Sequence, residues 1–153
     1  ITAQKQAEDQ AEREQRQADL IQAQRQLLKE LSTPVIPIME GIVVLPLIGT
    51  IDPQRAQDIM RALLQGISEH RAKFVILDVT GVPVMDTGVV NHLNQTIQAA
   101  QLKGARVIIT GISDTVAEAI VDLGIDWDTV ETLSDLQTGL KVALNRMGAR
   151  LVL

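Results

Sequence analysis

The apolar positions of this 153-residue chain change rhythm at Pro34. Before it, residues 1–31 contain neither Gly nor Pro and are rich in Gln, Ala, Glu and Arg, all good helix formers. They predict a helix roughly 45 Å long at about 1.5 Å per residue. Ala7, Ala11, Ala18, Ile21 and Leu28 follow a three-four spacing, and Leu20, Leu27 and Leu31 follow a neighbouring register. Small Ala residues, interrupted by Gln24 and Arg25, make a weak seam. It reads equally as a parallel dimer coiled coil or as a solvated linker helix. Ser32-Thr33-Pro34 ends the helix, because proline disfavours a helical conformation at the residue before it.

Beyond Pro34 the pattern alternates between short aliphatic runs and helical periodicity. Val35–Met39 and Ile42–Ile48 predict two strands around a Glu40-Gly41 hairpin turn. Pro37 and Pro46 cannot donate to a ladder and belong at edges or bulges. Asp52-Pro53 starts a helix, with Asp as N-cap and Pro at the first position. Its apolar face is Ala56, Ile59, Met60, Leu63, Leu64 and Ile67. Phe74–Leu77 predicts a buried strand, and Asp86 caps a second helix with Val89, Val90, Leu93, Ile97 and Ala100 inward. Arg106–Thr110 predicts another buried strand. Ser113 then caps a third helix with Val116, Ala117, Ile120 and Leu123 inward, stopping at Gly124. Val130–Thr132 predicts a short strand, and Ser134 caps a last helix carrying Leu136, Leu140 and Leu144. A hairpin followed by alternating helix and strand predicts an α/β domain with a mixed sheet. The expected division is a stalk helix at 1–33, a globular domain at 34–146 and a tail without readable pattern at 147–153.

Composition narrows the function classes. A net charge of −5 argues against a nucleic-acid or membrane-surface binder, which would carry a basic patch. No apolar run approaches the roughly 18 residues of a membrane span. The absence of Cys excludes disulfides, thiolate nucleophiles and Cys-ligated zinc, and fits a cytoplasmic protein. The two histidines, His70 and His92, lie on different predicted helices without a ligand-spaced neighbour, so no metal and no His-based triad is expected. Each reads as a solvated helix-face side chain. The chain begins at Ile1, not Met, in a polar segment without a signal-peptide pattern, and is expected to be the C-terminal part of a longer protein.

The most telling stretch is Ile76–Val90, in which a buried strand runs through Gly81-Val82-Pro83 into Asp86-Thr87-Gly88. This places the Thr87 hydroxyl on a helix N-terminus, whose free N–H groups and partial positive charge favour a phosphate. Asp86 as N-cap and Gly88, which removes bulk beside the hydroxyl, support the site. Asn91, His92, Asn94, Gln95 and Gln98 form an uncharged polar face suited to a partner. Asp-Thr-Gly also occurs in aspartic proteases, but those need two such loops in an all-β frame. No Gly-Lys-Ser/Thr loop, Gly-x-Gly-x-x-Gly or Gly-x-Ser-x-Gly is present. A response-regulator receiver would use a strand-end Asp such as Asp78, but lacks here its acidic pair and late-strand Lys. Asp78 is therefore expected to bond loop amides.

Four segments together carry a family resemblance: Thr33–Ile38, Pro46–Asp52, Asp78–Thr87 and Leu123–Asp126. In this order and spacing they resemble the RsbR family of rsbT co-antagonists of the bacterial stressosome, over about residues 20–144. The resemblance implies a STAS domain (sulfate transporter and anti-sigma factor antagonist), a mixed sheet with flanking helices, behind a helix from an N-terminal sensor. It further implies a non-enzymatic scaffold without cofactors. Such a scaffold forms homodimers within a large hetero-oligomer with an RsbS-type STAS paralogue. It sequesters an RsbT-type serine/threonine kinase and releases it when the STAS domain is phosphorylated. Thr87 matches the acceptor position. Some members carry a second acceptor Thr where this chain has Pro53, which has no hydroxyl. The alternatives are a free-standing anti-sigma factor antagonist, which needs no stalk, and a STAS domain on an anion transporter.

Overall fold

Aliphatic runs without polar interruption need cover on both faces of a sheet, and the central strands of this chain find it. The computed structural model describes residues 2–32, 34–83, 86–125, 127 and 130–148, and side chains at 3–24 and from 34 onward within those ranges. The chain divides into two compact units, Ile1–Ser32 and Thr33–Leu153. The first is one helix, α1 (Thr2–Ser32), as its composition predicts. Ala7, Ala11, Ala18, Leu20 and Ile21 are exposed on it. The expected seam positions Leu27, Leu28 and Leu31 lie outside the described side chains.

The second unit is a five-stranded sheet in the order β1 (Ile36–Met39), β2 (Ile42–Ile48), β3 (Phe74–Gly81), β4 (Arg106–Thr110), β5 (Glu131–Leu133). β1 runs antiparallel to β2, and β2 to β5 are parallel neighbours. Pro37 lies on edge strand β1 beside a register shift, and Pro46 flanks a second shift in the β2–β3 ladder, so both avoid a central donor position. Strands β3 and β5 each differ slightly from expectation: β3 continues to Gly81, and β5 begins at Glu131, with Val130 a buried residue ahead of it.

Helices α2 (Pro53–His70), α3 (Thr87–Leu102) and α4 (Asp114–Asp122) cover one face. There Val43, Leu45, Leu47, Val75, Leu77 and Ile109 meet Ile59, Leu63, Leu93 and Ile97. Helix α5 (Leu136–Arg146) covers the other, where Ala143 packs with Ile42, Val44, Phe74, Ile76 and Ile108, flanked by Leu136, Leu140 and Leu144. Alternate residues of each central strand thus enter alternate cores. Ala117, expected inward, is exposed, and the inner face of α4 is Val116, Ala119, Ile120 and Leu123. The cap of α5 is Asp135 rather than Ser134: its carboxylate accepts from the Thr138 N–H at 2.7 Å, three residues on. That backbone bond, then a bond from the Thr138 side chain, holds the Asp135 carboxyl below the usual carboxylate range. Ser134 Oγ donates to the same carboxylate.

Two glycines with positive φ separate steric from torsional cost. A Cβ on Gly111 (φ +78) would run into Thr80 Oγ1 and lie 2.9 Å from the Thr80 backbone N, whereas one on Gly104 (φ +88) meets open space. Gly104→Ala should cost only the left-handed strain of about 1–2 kcal/mol. Gly111→Ala should cost that plus overpacking, about 3 kcal/mol or more in total. Urea unfolding of both variants measures the difference, and equal losses would contradict the close approach at Gly111.

Candidate functional site

Parallel strands with returning helices bring every helix N-terminus to the carboxyl edge of the sheet, and the site is built there. Asp52 caps α2, accepting from the Arg55 N–H at 2.7 Å, and Asp86 caps α3, accepting from the Val89 N–H at 2.9 Å. Both caps sit in extended backbone. Thr87 is therefore the first residue of α3 and is exposed. The two helix starts face a shared hollow lined by Thr50, Asp52, Pro53, Asp86, Thr87 and His92. Pro53, which has no hydroxyl, and Thr87 thus share one surface.

The other sequence-predicted residues divide into two groups. Gly88 is exposed, and a Cβ there would meet only Asp86 Oδ1 at 3.4 Å, an ordinary contact. Its effect is to leave room beside the hydroxyl rather than to relieve a clash. Asn91, Gln95 and Gln98 are exposed at three- and four-residue spacing along α3, forming one stripe that continues from Gly88. His92 is half-buried, unlike the solvated side chain expected. It lines the hollow and also an apolar cleft beneath it with Leu47, Ile51 and Ile59. Asn94 leaves the stripe: half-buried, its Oδ1 accepts from Trp127 Nε1 at 2.9 Å. Its side chain ties α3 to Trp127, ahead of β5. Val84 and Met85, just before the cap, and Asp126 lie outside the described residues.

Three other threonine hydroxyls are committed elsewhere. Thr80 Oγ1 and Thr110 Oγ1 donate to the Asp78 carboxylate at 2.9 and 2.7 Å, and Thr96 Oγ1 donates to the His92 carbonyl. Asp78, expected to bond loop amides, accepts these two hydroxyls instead. The Asp78–Thr110 bond joins residues 32 apart in sequence, across the β3–β4 ladder where they are direct partners. Sequence spacing alone carries no signal for it, though Asp-x-Thr at a strand end hints at the local half. Among the described residues, no group of three or more His, Cys, Asp or Glu could hold a metal ion. No helix of the described residues is long and apolar enough to cross a membrane. The site thus offers an accessible hydroxyl on a positive helix end, flanked by two carboxylates, with an uncharged stripe beside it.

Residues 33–138 match the STAS domain family. The chain is 45% identical over 132 residues to the RsbT co-antagonist protein RsbRA of Bacillus subtilis (strain 168), covering 86% of this chain and 48% of that protein. It is 38% identical over 129 residues to RsbRD of the same organism, covering 83% and 46%. The chain therefore spans about half the length of these curated relatives. Its fold is similar to that of a single-site variant of Moorella thermoacetica RsbS, with a TM-score of 0.66 and 26% identity over 76% of this chain and 97% of that one. It also shares the fold of a chain from the molecular architecture of the stressosome, with a TM-score of 0.61 and 24% identity over 74% and 98%.

If Asp86 stabilises the first turn of α3 through the Val89 N–H, Asp86→Ala should destabilise the domain by about 1 kcal/mol, and Asp86→Ser by a few tenths. Denaturant unfolding checks both. Equal stability of Asp86→Ala and the parent would contradict the cap.

Proposed function

This chain belongs to the STAS domain family, and we propose from that premise that it is a non-enzymatic stress-signalling scaffold, phosphorylated on Thr87. The observation that carries the reading is the exposed Thr87 hydroxyl at the first position of α3, beside an uncharged stripe. In this reading the domain binds and sequesters an RsbT-type serine/threonine kinase, in company with an RsbS-type STAS paralogue, inside a large cytoplasmic hetero-oligomer. Residues 1–33 serve as the stalk through which homodimers form and a signal arrives, residues 34–146 as the STAS domain and 147–153 as a tail. No cofactor takes part. The curated relatives named co-antagonists of RsbT support the pathway, and the similarity to RsbS supports the kind of neighbour.

The chemistry of release follows from charge. Phosphate adds about −1.5 to −2 at Thr87. The hollow already holds Asp52 and Asp86, so a partner seated over it meets a sharply more negative surface. Of the two acceptor positions found in the RsbR family, Pro53 lacks a hydroxyl, and Thr87 is the one this chain retains.

The test is assembly and affinity. Mixed with an RsbS-type protein and the kinase, the chain should run as a megadalton-scale species that sheds kinase on addition of ATP. Thr87→Ala should retain it. A shift of about 3 kcal/mol on phosphorylation corresponds to roughly 150-fold weaker kinase binding. Equal kinase affinity before and after phosphorylation would overturn release. A monomer under all conditions would favour a free-standing antagonist.

A further inference from the structure

We propose that Asp78 is a positioning residue for phosphorylation at Thr87, holding the base of the acceptor loop through the hydroxyls of Thr80 and Thr110. This rests on Thr87 being the acceptor. The loop leaves the sheet at the end of β3, and contacts from β3, β4, α5 and Gly111 fix its take-off. Asp78 Oδ1 accepts from Thr80 Oγ1 at 2.9 Å, near the end of β3, and from Thr110 Oγ1 at 2.7 Å, on β4. Thr110 is fully buried, so its hydroxyl depends on this one carboxylate oxygen. Its methyl lies close against α5: a Cβ on Gly139 would come within 2.7 Å of Thr110 Cγ2. Gly111 admits Thr80, whose Oγ1 occupies the space a Cβ on residue 111 would need.

The chain then turns at once. The Val82 N–H donates to the Val79 carbonyl at 3.0 Å, the Gly81 carbonyl accepts from the Gly49 N–H at 2.9 Å, and the Val82 side chain is buried. Thr80 is thus the last side chain anchored by the network before the segment that delivers Asp86 and Thr87. Both bonds to Asp78 are to a carboxylate, the stronger class of acceptor. A fixed loop base sets where the Thr87 hydroxyl stands relative to an incoming γ-phosphate, and a displacement of about 1 Å costs up to a hundredfold in rate. Asn91, Gln95 and Gln98 are exposed on α3, and none of them belongs to the Asp78 network.

The variants are Asp78→Asn, Thr110→Val, which keeps the methyl against Gly139 and removes the hydroxyl, and Thr110→Ser, which does the reverse. Each is phosphorylated by a purified RsbT-type kinase with ATP, well below its unfolding temperature. Thr110→Val should lower kcat about tenfold or more with KM within about twofold, and Thr110→Ser should restore it. Asp78→Asn, which keeps one acceptor oxygen, should fall between. Amide exchange at Val82, read without kinase, should quicken in Thr110→Val relative to Val107 in the core. Parent-like kcat and Val82 exchange in both Thr110→Val and Asp78→Asn would overturn the proposal. If the parent chain is not labelled on Thr87, the acceptor assignment fails, while the Val82 exchange still decides whether Asp78 orders the loop.

Discussion

The structure depends on one constraint: β2, β3 and β4 run parallel and are buried on both faces. A parallel pair cannot be joined by a tight turn, so each strand must be followed by a helix that returns to the opposite edge. Both faces of the sheet are then clad, α2 to α4 on one and α5 on the other. The same constraint puts the starts of α2, α3, α4 and α5 at one edge, and their caps are Asp52, Asp86, Ser113 and Asp135. The acidic, helix-end character of the Thr87 edge is therefore a product of topology. A residue at the first position of α3 is displayed because the strand before it has to end and turn.

Two opposing electrostatic effects meet at Thr87. The α3 N-terminus favours a phosphate by about 0.3–1 kcal/mol at an exposed position. Asp86 and Asp52 oppose it with surface charge interactions, each of similar size. Both effects are small against the roughly 5–15 kcal/mol stability of a domain, so a phosphate changes the local fold little and the local charge greatly. On this account the modification is read by whatever sits over the hollow, not by a rearrangement of the domain. The buried β2–β3–β4 ladder beneath it, tied at its carboxyl end by Asp78, supplies the rigidity such a readout needs.

Much of the fold is legible in the sequence because the local signals agree with one another. Asp52-Pro53 and Asp86 each combine a capping side chain with the onset of helical periodicity, and both cap where expected. The aliphatic run Ile42–Ile48 forms β2 with its expected bounds. Expectation and structure part where two local solutions compete or where the partner is distant. Ser134 and Asp135 are both good caps, and only the geometry to Thr138 selects the second. Ala117 is small enough to suit either side of α4. Asn94 reads as part of a polar surface because Trp127, 33 residues away, is invisible to helical spacing. The same holds for Asp78 and Thr110, whose contact exists only once β3 and β4 are aligned.

The central claim is that the hydroxyl displayed at the first position of α3 receives the phosphate. Fragment-ion mass spectrometry of the chain, after incubation with an RsbT-type kinase and ATP, tests it most directly. The account predicts a single phosphate, on Thr87. A phosphate on Thr50 or Thr80 instead, with Thr87 unmodified, would contradict it.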